Sequence, residues 1–196
     1  AGGLAVSGTG VLFLSGNNTY SGPTNVGATS NAFLVVKSLG NSTTGSASSS
    51  VGGFVSGTAG AVTIGTGNLL QYVGGGETSD RMIRLVGSNA TINASGAGPL
   101  VLENVVNADG TSKTLYLTGR SGFDNTIASN LSGTMSLNVA VGSRWILSGS
   151  NTMVGSATLN AGAQLGFGSD AAGGFTSMTN GAGVFAAGGD RTLAGR

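Results

Sequence analysis

The chain has 196 residues, of which 38 are Gly, two are Pro and none is Cys or His; 8 basic and 7 acidic side chains leave a formal net charge of +1. Without imidazole or thiol there is no Ser-His-Asp triad, no Cys-His dyad and no ordinary zinc or iron–sulfur site, and the scattered cations leave no electrostatic footprint for nucleic acid. The glycines do not fall on every third position, which excludes collagen, and 39% hydrophobic residues argue against a disordered chain.

In chain order, short alternating runs recur: Leu4-Ala5-Val6, Leu12-Phe13-Leu14, Val62-Thr63-Ile64, Ile83-Arg84-Leu85, Leu100-Val101-Leu102, Leu115-Tyr116-Leu117, Leu137-Asn138-Val139 and Trp145-Ile146-Leu147. Each puts two apolar side chains on one face of a strand and its middle residue on the other. Gly, Asn or Ser follows within a residue or two and supplies turn chemistry. Strong helix formers are scarce. The pattern predicts an all-β chain of many short strands. Its longest apolar run, 32–36, is too short to span a bilayer, so no membrane insertion of this segment is expected.

Internal similarity narrows the architecture. Ser15-Gly16-Asn17-Asn18-Thr19 returns as Ser148-Gly149-Ser150-Asn151-Thr152 at an offset of 133, which also aligns Leu4 with Leu137, Leu12 with Trp145 and Gly22 with Gly155. Asp80-Arg81-Met82-Ile83 returns as Asp190-Arg191-Thr192-Leu193 at an offset of 110. The offsets differ by 23 residues, the length of one solenoid turn, and turns are lost or gained whole because each contacts only its neighbours. The expectation is a right-handed parallel β-helix of eight or nine turns, on the order of 40 Å long. It forms a single domain over 1–196, with 1–133 a first long repeat and 134–196 a partial second copy. The segment 40–50 (GNSTTGSASSS) is expected as a solvent-exposed excursion.

Candidate chemistry is sparse. The carboxylates are Glu77, Asp80, Glu103, Asp109, Asp124, Asp170 and Asp190. Glu77 follows Gly74-Gly75-Gly76 and reads as a loop tip, and Asp80-Arg81 reads as a local ion pair or turn cap. With Lys37 and Lys113 the only lysines and no acidic ladder, neither a paired-carboxylate site nor a calcium-dependent lyase centre is expected. The chain is read as a non-enzyme that needs no metal or cofactor. Arg84, Arg120 and Arg144 sit beside strands, where a basic face toward acidic glycans competes with plain surface pairing.

The stretch Leu12-Phe13-Leu14-Ser15-Gly16-Asn17-Asn18-Thr19-Tyr20-Ser21-Gly22-Pro23-Thr24-Asn25-Val26 resembles the autotransporter-associated β-strand repeat of passenger domains, roughly L-x-L-S-G-x-N-T-Y-x-G-x-T-x-V. Residues 145–159 resemble it more weakly, departing at Met153, Val154 and Ala157. The resemblance implies an exported, extracellular or cell-surface bacterial rod: a stalk, an adhesin passenger or a filament segment. Within the motif, Asn18, Thr19, Tyr20 and Gly22, with Asn151, Thr152 and Gly155 in the second copy, are read as structural turn and ladder residues. Asn18 and Asn151 are expected to stack at a corner, Tyr20 to cover the turn and Gly22 to allow a tight bend. Ala1-Gly2-Gly3-Leu4 opens on a strand and Asp190-Arg191-Thr192-Leu193 begins a unit, so neither end carries a polar cap. The expected partner is therefore the chain itself or adjacent repeats, end to end through terminal strands. Surface glycans are a second possible partner class, met by Tyr20, Tyr72, Tyr116 or Phe123.

Overall fold

The structure, a computed structural model, describes residues 2–27, 31–41, 48–53, 57–168, 175–180 and 184–187. The strands in chain order are β1 (Leu4–Val6), β2 (Val11–Leu14), β3 (Thr24–Val26), β4 (Phe33–Val36), β5 (Val62–Ile64), β6 (Asn68–Tyr72) and β7 (Glu77–Ser79). Then follow β8 (Ile83–Leu85), β9 (Asn89–Ala94), β10 (Leu100–Leu102), β11 (Val105–Asn107), β12 (Lys113–Thr118) and β13 (Asn125–Ile127). The last are β14 (Ser132–Val139), β15 (Arg144–Leu147), β16 (Thr152–Leu159), β17 (Gln164–Phe167), β18 (Phe175–Asn180) and β19 (Val184–Ala187). All eight alternating triplets of the sequence lie in strands.

The strands stack into three parallel sheets that form the faces of a β-solenoid of about 7 turns. One face carries β1, β3, β5, β8 and β11, a second carries β2, β4, β6, β9, β12, β14, β16 and β18, and a third carries β7, β10, β13, β15, β17 and β19. The chain visits the faces in turn, so each strand pairs with the one a full circuit away. Leu4 pairs with Thr24, Val62 with Ile83 and Ile83 with Val105, steps of 20 to 22 residues. That is the turn length the two sequence offsets implied.

Inward side chains form continuous columns. On the long face Leu12, Leu34, Leu70, Ile92, Leu117, Val139 and Leu159 are successive partners. From Leu34 onward every one of them is buried. At about 25 cal/mol per Å² of apolar surface, each contributes on the order of 2 kcal/mol of burial. Between them, outward residues alternate, as in the buried–intermediate–buried pattern of β5, β8 and β10.

Two expectations change. The column has about 7 turns rather than eight or nine, because the step from Thr24 to Val62 is 38 residues long. The extra chain between β4 and β5 leaves the rung instead of building another. This insert is also not simply an exposed excursion: Ser49, Ser50 and Val51 are buried, and Asn18 and Ser49 form an antiparallel bridge. Residues 42–47 of the expected excursion lie outside the described residues, as do Asp170, Asp190 and Arg191.

The 133-residue offset does not return equivalent residues to the same face. Leu4 lies on the five-stranded face and Leu137 on the eight-stranded one, while Leu12 lies on the eight-stranded face and Trp145 on the six-stranded one. The shared motif therefore encodes a strand–turn–strand path that serves at more than one corner.

Candidate functional site

The most elaborate polar arrangement secures the insert to the column. Arg81 follows β7 and is 1% exposed. Its Nε donates to the Leu39 carbonyl, Nη1 to the Gly60 carbonyl at 2.6 Å, and Nη2 to the carbonyls of Gly52 and Gly53 at 3.2 Å each. A guanidinium can do this because its donors lie in a rigid planar fork. Glu77, four residues earlier, accepts the N–H groups of Leu39 at 2.8 Å and Gly40 at 2.7 Å. The loop-tip placement of Glu77 is thereby corrected: it opens β7 and holds the chain at the start of the insert. Burial pushes its carboxyl above the usual range, against the two amide bonds and the charge of Arg81, and burial likewise lowers Arg81. Acidic and basic groups here bind backbone, and nothing in the arrangement offers a reacting atom.

A second device repeats along the column. Asn68 Oδ1 accepts the Ala32 N–H at 2.7 Å, while its Nδ2 donates to the Thr66 carbonyl at 2.9 Å. Asn125 accepts from Leu100 at 3.0 Å and donates to the Phe123 carbonyl at 3.1 Å. Asn151 accepts from Leu131 at 2.8 Å and donates to the Gly149 carbonyl at 3.1 Å. In each, a buried amide closes its own turn and satisfies a backbone N–H of the preceding rung, which an apolar side chain would leave unpaired. Of these three, the sequence motif pointed to Asn151; Asn68 and Asn125 sit in stretches without the Ser-Gly-x-Asn-Thr signature.

The other motif residues are placed as follows. Asn18 lies on the first rung, where its Nδ2 donates to the Ser50 carbonyl at 2.8 Å, so it does not stack on Asn151 six rungs away. Thr19 and Thr152 are exposed, and the Thr152 N–H bonds the Leu131 carbonyl at 2.9 Å. The Tyr20 hydroxyl bonds Thr24 Oγ1 at 2.7 Å, and its ring lies against Gly52 of the insert. Gly22 donates to the Gly2 carbonyl at 2.8 Å so closely that a Cβ would run into that carbonyl. Gly155 stands at the bulge between β16 and β18, where a Cβ would meet the Met135 carbonyl oxygen.

Of the aromatic contacts expected for a glycan, Tyr72 is removed: it is 2% exposed and its hydroxyl accepts the Gly76 N–H at 3.0 Å. Its Leu-Leu-Gln-Tyr context alternates, and that alternation turns Tyr72 inward with Leu70. Tyr116 and Phe123 stay exposed. Arg144 pairs with Asp124 at 2.8 Å. Lys113 is buried and bonds Asp109 at 2.7 Å and the Gly87 carbonyl at 3.0 Å. Partial desolvation of Asp109 works toward a higher pKa, but Lys113 and the N–H groups of Gly87 and Thr111 outweigh it and hold the carboxyl well below the usual range. Among the described residues no group of three or more Asp or Glu could hold a metal. No helix of the described residues is long and apolar enough to cross a membrane.

The fold and its turn chemistry define a parallel β-solenoid carrying autotransporter passenger-type repeats. The passenger-associated-transport-repeat model matches residues 4–28 and 142–163, the two stretches in which the motif recurs. The chain is similar to "Adhesin BmaC autotransporter" of Brucella suis biovar 1 (strain 1330), at 35% identity over 107 residues. That match spans 50% of this chain and 3% of the adhesin's length. No solved structure matches the chain.

Proposed function

We propose that this chain is a segment of the passenger of an exported bacterial surface adhesin, acting as a stalk by length and rigidity and without enzymatic chemistry. The observation that carries this reading is the edge at the first rung. There β1 and β2 pair on one side only, with β3 and β4, and the core-directed Leu4, Leu12 and Leu14 are half-buried where their counterparts one rung deeper are buried. A row of free backbone groups above a half-covered apolar core is a template for another rung of the same kind. Similarity to a small fraction of a very long adhesin supports the same reading, since a solenoid extends by adding turns. Its cellular place is the bacterial surface or the secreted passenger.

Sedimentation tests the stacking directly. The isolated chain is expected to associate into longer rods as concentration rises, and Leu12→Asp is expected to keep it monomeric with an unchanged far-UV β signal. A wild-type chain that stays monomeric at high concentration contradicts end-to-end pairing.

A further inference from the structure

Beside the column, where the eight-stranded face turns into the six-stranded one, three successive rungs enclose a cleft of about 440 Å³. This is inside the range of small-ligand sites, about 300–1,000 Å³. Asn93 stands at the end of β9, Thr118 pairs with it one rung on at the end of β12, and Arg120 follows. Val141 and Ser143, in the turn before β15, close the far wall.

The chemistry of these groups is one-sided. Arg120 is exposed and has no ion pair or hydrogen bond among the described residues, unlike Arg81 and Arg144. Its Nε lies 3.7 Å from where a Cβ on Gly142 would be, so the guanidinium rests across the turn that carries Ser143. Ser143 is 1% exposed, yet its hydroxyl has no partner. A buried hydroxyl without a partner costs about 1–3 kcal/mol and marks a place where a group is missing. Asn93 spends its Oδ1 on the Ser95 hydroxyl at 2.6 Å, leaving its amide N–H₂ turned outward as a donor. No carboxylate lines the cleft. The exposed Val141 adds an apolar surface to the wall.

We infer that this corner cleft binds a carboxylated saccharide, Arg120 taking the carboxylate and Asn93, Thr118 and Ser143 taking ring and linkage oxygens while Val141 meets a C–H face. A fixed cation with several donors and no acid suits an oxygen-rich anion, and a guanidinium pairs with a carboxylate in bidentate fashion. The volume suits a sugar unit and its linkage better than a lone inorganic anion. Successive rungs, about 4.8 Å apart, offer Asn93 and Thr118 at a spacing close to that of groups along one sugar ring. The site lies on a lateral face, so it stands independently of whether rods stack at their ends.

Calorimetric titration decides it, with a hyaluronan tetrasaccharide as the acidic probe, chitotetraose as the neutral one and sodium sulfate as the simple anion. The acidic tetrasaccharide is expected to bind saturably and at least tenfold more tightly than chitotetraose. Arg120→Ala should weaken it about tenfold or more and Ser143→Ala by a smaller factor, whereas Arg84→Ala on the five-stranded face should leave it unchanged. Far-UV spectra and melting of each variant establish that the column is intact. Equal binding of the two sugars, full competition by sulfate at comparable affinity, wild-type binding by Arg120→Ala, or no heat at millimolar sugar overturns the inference.

Discussion

Arg81 donates through Nη1 to the carbonyl of Gly60 at 2.6 Å, joining the end of β7 to the short 3-10 turn Gly57–Gly60 that leads into β5. The same guanidinium reaches Leu39 before the insert and Gly52 and Gly53 within it. One side chain thus closes the detour that lengthens the second turn.

Removing Arg81 should therefore be costly out of proportion to one residue. Arg81→Leu leaves several buried carbonyls without donors and is expected to lower stability by about 3–5 kcal/mol. Arg81→Lys keeps the charge but not the fork and should recover only part of that. Denaturant unfolding of both variants checks the order, and a loss below about 1 kcal/mol for Arg81→Leu would refute the clasp.

The Asn68, Asn125 and Asn151 devices predict a shared penalty at unrelated points of the sequence. Substituting Ala for any of the three strands a buried N–H on the preceding rung and should cost about 1–3 kcal/mol. Hydrogen exchange locates the effect: Ala32, Leu100 and Leu131 should each lose protection in the matching variant. Uniform loss along the column would point to general unfolding instead.

How these asparagines escaped the sequence reading explains much about what it captured. Triplets such as Ile83-Arg84-Leu85 announce a strand because both inward positions are apolar. In β6, β7 and β13 an inward position is instead Asn68, Ser79 or Asn125, each buried, so the apolar alternation breaks at the rung where a polar bond is made. Turn length was legible because it is a property of spacing. Which face a copy occupies was not, since Ser-Gly-x-Asn-Thr dictates the path round a corner and the corners are alike. Nor did composition reveal that Ser49 to Val51, in a Ser-rich insert, would be buried, because their burial depends on Arg81 some thirty residues later.

Acid should weaken the column through Asp109. Its folded-state pKa is depressed, so the stability it contributes is complete above the ordinary carboxylate value of about 3.9 and is lost as pH falls below it. Glu77 has the opposite sign: its pKa is raised, so its contribution is largest at low pH and declines as pH rises through the folded value. Asp109→Asn is expected to flatten the loss of stability below about pH 4, measured as urea midpoints. An unchanged acid limb in that variant would contradict the Asp109–Lys113 assignment.

Close rung packing makes a specific demand at Gly155. A methyl there meets the Met135 carbonyl oxygen, backbone that cannot step aside, so Gly155→Ala should destabilise by about 1–3 kcal/mol. Gly16→Ala, where a Cβ meets nothing, should be close to neutral. Thermal melts of the two compare them directly, and equal melting temperatures would count against the bulge geometry.

The sharpest test uses the outward column Val11, Phe33, Leu69, Thr91, Tyr116, Asn138 and Thr158, each the direct partner of the next. The chain has no native Cys, so nitroxide labels can be placed at will. Pairing Val11→Cys in turn with Tyr116→Cys, Asn138→Cys and Thr158→Cys should give pulsed-EPR distances near 19, 24 and 29 Å, rising by ~4.8 Å per rung. Distances that fail to climb evenly, or that fold back on themselves, would show that the strands do not form one column.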